Sequence, residues 1–245
     1  MEALAKKPVG GLKGLAKEFC PPIAWRGLHL LKVAVRGKLP LSAHGGHPAG
    51  QDLDVYWDEE MAELLETWGD GNVWNEIQMF LFQASGRVMD IACGTGKTME
   101  VLARFPRLDI IGCDISDMLI SKARERGIAA ERLRIADATK LDFPDNYFDY
   151  SYSIGSFEHF TEDGLGAVIA ESARVSKVAA FHMVPISRSG RDEGWMKTYQ
   201  SFFNNSPEWW TRKYLQSFAR VIALDSAWND SISLGKWFVC YKDGA

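Results

Sequence analysis

Cysteine is scarce. The 245 residues hold four, Cys20, Cys93, Cys113 and Cys240, far apart and with no CxxC pair, which argues against a disulfide framework and a zinc cluster. Apolar runs are short: none approaches the roughly 18 to 20 residues that cross a bilayer. The opening segment MEALAKKPVGGLKGLAKEF has no continuous apolar stretch of the secretion-signal kind, so a cytoplasmic location is expected. Internal repeats and low-complexity tracts are missing too, which excludes fibrous and solenoid chains. Positive charge is thin beyond the N-terminus. The net charge is −4, yet residues 1 to 38 carry eight Lys or Arg against Glu2 and Glu18, so the rest of the chain is acidic and unsuited to a dedicated nucleic-acid binder.

What is present is an ordinary globular composition, 47% hydrophobic and 24% charged, with the apolar residues spread along the chain. A composition shift near residues 44 to 54 separates a basic N-terminal helical arm, residues 1–50, from a main domain, residues 51–245. In the arm, Trp25, Leu28, Leu31 and Val35 recur at helical spacing after Pro21 and Pro22, as an amphipathic helix requires. Such a helix packs on the main domain or meets an anionic lipid surface or an acidic partner. From residue 87 onward short apolar runs alternate with helical segments: RVMDIA, LDIIGCD, RLRIAD, FDYSYSI and KVAAFHMV read as buried parallel strands. Ser116, Thr161 and Ser206 sit where helix N-caps belong, with Pro207 at a first helical position. RVIALD and GKWFVCYK add two strands. The expected fold is α/β, a doubly wound, seven-stranded and mostly parallel sheet whose ligand crevice lies at the carboxyl ends of the strands. Residues 51–86 hold two helix candidates that would form a lid, with Tyr56 or Trp57 near the ligand.

The glycine turn Asp90-Ile91-Ala92-Cys93-Gly94-Thr95-Gly96-Lys97-Thr98 lies between a strand and a helix. A phosphate-cradling P-loop fails because the position five before Gly96 is Ile91, and a dinucleotide fingerprint fails because its third glycine is Met99. What fits is D-x-x-x-G-x-G with an acid, Asp114, at the end of the next strand, then Asp137 after the third, and then Phe157-Glu158-His159 after the fourth.

In order and spacing these elements resemble class I S-adenosylmethionine-dependent methyltransferases over about 70 residues. The resemblance implies S-adenosylmethionine as cofactor and S-adenosylhomocysteine as product. It implies cofactor contacts from Asp90, Ala92, Cys93, Gly94, Gly96, Asp114, Ile115, Met118, Asp137, Ala138, Ser153 and Ile154. The glycines let backbone approach the ligand. Asp114 would accept the two ribose hydroxyls, Asp137 the adenine amino group, and Ile115 and Met118 would line the adenine ring. Plainer readings stand beside these: Asp90 as a loop-positioning group, and Met118 and Cys93 as packed residues.

Methyl transfer from a sulfonium needs alignment and exclusion of water, and an alcohol acceptor also needs a general base. His182, His159 and Glu158 are the candidate catalytic residues. The metal-dependent branch of the family places an extra acid where this chain has Gly155, so no metal is expected. Residues 185–210 are expected to form an acceptor-pocket insertion, with Arg188, Trp195, Tyr199 and Asn204 as substrate-binding candidates. Aromatic faces beside amide and guanidinium donors suit a sugar ring, although Trp209 and Trp210 cannot both face one pocket. CPPIAWRGLHLLK and VWNEIQ loosely resemble methyltransferases of bacterial surface-polysaccharide assembly. This favours O-methylation of a sugar or nucleotide-sugar, with N- or C-methylation of another small molecule or a non-catalytic cofactor-binding scaffold as alternatives.

Overall fold

In the computed structural model the described residues are 59–197 and 201–242. The arm, Tyr56, Trp57 and Tyr199 lie outside them. Two short helices come first, α1 (Glu59–Leu64) and α2 (Val73–Leu81), the second capped by the Asn72 side chain. Then follow β1 (Gly86–Ile91), α3 (Lys97–Leu102), β2 (Leu108–Asp114), α4 (Asp117–Glu125), β3 (Leu133–Ile135), β4 (Phe148–Ile154), α5 (Glu162–Val175) and β5 (Ser176–Ser187). A small hairpin, β6 (Trp195–Lys197) and β7 (Ser201–Phe203), precedes α6 (Pro207–Tyr214), β8 (Arg220–Asn229) and β9 (Ser233–Tyr241).

The sheet runs β3-β2-β1-β4-β5-β9-β8, and β9 is antiparallel to both its neighbours. Strand order reverses between β1 and β4, which opens the crevice at their carboxyl ends. Alternate residues of each central strand feed opposite cores. Met89, Ile91, Ala180, Val184 and Phe238 pack on the α5 and α6 side, whereas Val88, Ala179, Phe181, Met183 and Trp237 pack on the side of α2, α3 and α4. Burial on both faces is why these strands read as unbroken apolar runs.

The expected caps form. The hydroxyls of Ser116, Thr161 and Ser206 accept the amides of Leu119, Gly164 and Trp209. Glu76 of α2 reaches across to the sheet edge, accepting Trp237 Nε1 and Ser226 Oγ on Oε2 and the Ala227 amide on Oε1. Residues 185–210 are not one insertion: their first three residues complete β5, and the rest hold the hairpin and the start of α6.

Candidate functional site

The chain leaves β1 through three left-handed residues, Ala92 (φ 60°), Gly94 (φ 55°) and Gly96 (φ 73°). The two glycines have different reasons. Among the described residues a side chain at Gly94 would meet only the Leu65 Cδ1, at 3.4 Å, so this position offers bare backbone to a ligand. A side chain at Gly96 would run into Ile128 and Ala123, so its smallness is required by packing against the α4 region. Met99, standing where a dinucleotide site has its third glycine, is accommodated by Gly112 of β2, where a Cβ would lie 2.7 Å from Met99 Sδ and 2.9 Å from Cys93 Sγ. Cys93 is therefore a packed residue on β2, and its thiol pKa is raised by burial.

Two buried acids flank the loop. Asp114 accepts the Gly94 amide on Oδ2 and the Ser116 amide on Oδ1, each at 2.9 Å. Burial outweighs these bonds and pushes its carboxyl up to about 6. Asp90 accepts the Tyr152 hydroxyl at 2.8 Å, and burial, reinforced by nearby Asp114, pushes it up to about 8. Each Asp114 oxygen holds one amide and keeps acceptor capacity for a diol. The bare Gly94 backbone beside it fits a ligand lying across the ends of β1 and β2. Asp114, still largely ionised near pH 7, favours a cationic ligand over an anionic one.

Ile115 and Met118 are half-buried beside Asp114, placed as an apolar lining requires, and Ile154 is half-buried at the end of β4. Asp137 holds the turn after β3 by accepting the Thr139 amide and hydroxyl, and Ala138 is in the core. Ser153 is fully buried with its hydroxyl bonded to His182 Nδ1 at 2.8 Å, so its side chain serves the core and not the crevice.

The acceptor side departs furthest from expectation. His182 is no base. It is fully buried, Ser153 and Ser172 occupy both ring nitrogens, and Phe157 and Tyr214 stack on it at 4.5 and 5.3 Å. Burial pushes its pKa down to about 3. Asn204 is spent internally, donating to Glu193 and accepting from Ser233 Oγ, and Arg188 binds Asp230 O and Asn229 Oδ1 in the turn between β8 and β9. Asn204 is fully buried, whereas Arg188 is exposed. Trp195 is half-buried and packs on Phe203. Of the two tryptophans on α6, Trp210 is fully buried and Trp209 half-buried.

Glu158 and His159 remain, on the 3₁₀ turn after β4. His159 Nδ1 lies 2.9 Å from the Ser201 carbonyl, which only accepts, so Nδ1 carries the hydrogen and Nε2 is left bare. Nε2 sits 3.7 Å from Glu158 Oε1. Burial pushes Glu158 up to about 8 and holds His159 below its ordinary value, so both are neutral near pH 7.

Within residues 51–86, expected to form a lid, the side chains that overlie the loop were not singled out. Leu65 lies over Gly94, and Glu66 accepts Thr95 Oγ1. Trp68 covers Gly155, where a Cβ would come within 3.2 Å of its ring. Arg126 latches the arrangement, donating to Glu66, Thr95 O and Glu100. The only signal in the sequence was a cation just before the helix-ending Gly127, too common to single out. Tyr152 was missed as well, although its alternation with Ser151 and Ser153 places it on the Asp90 face.

Residues 88–178 match the methyltransferase domain family. The probable tRNA methyltransferase 9B of Homo sapiens is 35% identical over 105 residues, covering 42% of this chain and 22% of that protein. The ubiquinone/menaquinone biosynthesis C-methyltransferase of Burkholderia mallei is 33% identical over 144 residues, 56% of each chain. Two crystal structures of the N-terminal domain of EvdMO1, one with S-adenosylhomocysteine (SAH) bound and one in the presence of SAH and D-fucose, superpose with a TM-score of 0.56 at 16% identity, covering 75% of this chain and 94% of theirs. The chain thus spans between about a fifth and about half the length of the curated relatives it matches. With the strand order and the loop, these matches mark residues 88–178 as a methyltransferase domain.

Proposed function

We propose that the protein transfers the methyl group of S-adenosylmethionine to a hydroxyl of a small molecule, a sugar or nucleotide-sugar. The observation that carries the reading is the pairing of Asp114 with the bare Gly94 backbone at the crevice mouth. When bound, the cofactor supplies an electrophilic methyl on a cationic sulfur. The chain's own part is binding and alignment: Asp114 holds the ribose diol, Ile115 and Met118 take the adenine, Asp137 orients its edge, and the loop from Ala92 to Gly94 gives backbone to the amino-acid portion. Buried Asp90, held by the Tyr152 hydroxyl, fixes the start of that loop. The cap from Leu65 to Trp68 excludes water, which strengthens each of these interactions. The sugar reading is supported by the aromatic hairpin beside the turn and by the fucose used with a protein of the same fold. The C-methyltransferase relative favours carbon as the alternative acceptor atom.

Calorimetric titration with SAH tests the cofactor half. Binding is expected, and Asp114→Ala should weaken it about 10- to 100-fold, the worth of charge-assisted hydrogen bonds. Equal affinity in the variant would remove Asp114 from the site. Mass spectrometry of products from a panel of glycosides, with the methyl position assigned, tests the acceptor half.

A further inference from the structure

We propose that Glu158 and His159 form a two-step proton relay that makes this domain an O-methyltransferase, with the carboxyl meeting the acceptor hydroxyl and the imidazole storing its proton. The inference rests on the methyl-transfer reading above and names its chemistry. Three features of the turn carry it. Among the described residues Glu158 Oε2, like Trp210 Nε1 and Tyr214 Oη, is buried with no hydrogen-bond partner, and of the three it alone is a carboxyl oxygen, able to take a proton. Glu158 Oε1 lies beside Gly155 and 3.7 Å from His159 Nε2, close enough for a side-chain rotation to bring it within bonding distance. The Ser201 carbonyl fixes the tautomer that leaves Nε2 as acceptor, and it comes from the hairpin beside the turn, so hairpin and base are held in one register.

The relay balances. The acceptor oxygen forms a bond to the donated methyl carbon while the carbon–sulfur bond breaks and leaves its electron pair on sulfur. The hydroxyl proton passes to Glu158 Oε2 as the proton already on Oε1 passes to His159 Nε2. Glu158 ends neutral, as it began. The positive charge that leaves sulfur reappears on the imidazolium, whose Nδ1 hydrogen rests on the Ser201 carbonyl. Burial of Glu158 favours the protonated carboxyl that the first step requires. Among the described residues, the other ionisable groups packed around the turn are His182 of β5, held neutral, and Tyr214 of α6, which keeps its proton because burial raises its pKa. Neither titrates near neutrality.

The test uses the full chain with S-adenosylmethionine and a panel of methyl glycosides and nucleoside diphosphate sugars, with primary amines as controls. Glu158→Gln and His159→Asn should each lose about 100-fold or more in kcat on hydroxyl acceptors. SAH affinity and melting temperature should stay near wild type, and Glu158→Asp should recover part of the loss. Independently of turnover, difference infrared spectra should show the C=O stretch of a protonated carboxylic acid at neutral pH, fading above about pH 8 and missing in Glu158→Gln. No such band, near-wild-type kcat in Glu158→Gln, or methylation confined to amines would overturn the relay, as would a wild type that binds SAH yet methylates no hydroxyl. A wild type that fails to bind SAH at all would instead overturn the methyl-transfer reading.

Discussion

Met99 shows how a local rule survives a change of residue. The methionine fills the space a glycine leaves open in a dinucleotide site, and Gly112 on the facing strand supplies the missing room. Gly112→Ala should therefore destabilise the fold by about 1 to 3 kcal/mol through overpacking. Adding Met99→Ala should cancel part of that cost in a denaturant double-mutant cycle; strict additivity would show that the two residues do not share the space. The same reasoning explains which residues were legible. Asp90, Gly94 and Asp114 stand out at fixed spacing in the sequence, and the structure brings them together at the ends of β1 and β2. His182 was misread because histidine in a strand looks reactive. Its parity with Ala180 and Val184, both core residues, was the signal that placed it inside. The internal partners of Arg188 and Asn204, Asp230 and Ser233, lie far along the chain, and no local pattern announces them.

Elements differ in how much of themselves they write into the sequence. The strands β1, β2, β4, β5 and β9 are legible as apolar runs between helices, and α4, α5 and α6 through their caps. The hairpin of β6 and β7 is not, since each strand has three residues and the loop before it is held by side chains such as Glu193 accepting from Ser187, Ser189 and Asn204. The cap is likewise a tertiary feature. Its latch makes a prediction: Arg126→Ala should free residues 65–68 and speed limited proteolysis there in the protein without cofactor, with S-adenosylmethionine restoring protection. Cutting unchanged by both the substitution and the cofactor would remove the cap from any role in closure. Glu76 ties α2 to the sheet edge, and Glu76→Ala leaves the buried Trp237 indole without its acceptor, an expected loss of about 1 to 3 kcal/mol in denaturant melts.

At the scale of the whole molecule, the site leaves a mark on stability against pH. Asp90 and Glu158 keep their protons to about pH 8 when folded, whereas the unfolded chain releases them near 3.8 and 4.5. Above 6.5 the histidines no longer oppose this, since His182 is then neutral both folded and unfolded. Between pH 6.5 and 8 the folded chain thus binds more protons than the unfolded one, and stability falls as pH rises. Melting temperature should drop across this window in the wild type and stay nearly level in the Asp90→Asn, Glu158→Gln double variant. A level wild-type profile would show that these carboxyls are not held protonated.

The arrangement of the whole domain rests on Asp114 and Gly94 as the grip on the cofactor, and a crystal structure with SAH tests that most directly. The account predicts both ribose hydroxyls within hydrogen-bond distance of the Asp114 carboxylate, the adenine between Ile115 and Met118, and the amino-acid portion against the Gly94 backbone. A nucleoside bound elsewhere, or an Asp114 carboxylate still closed on the Gly94 and Ser116 amides with no ligand contact, would contradict it.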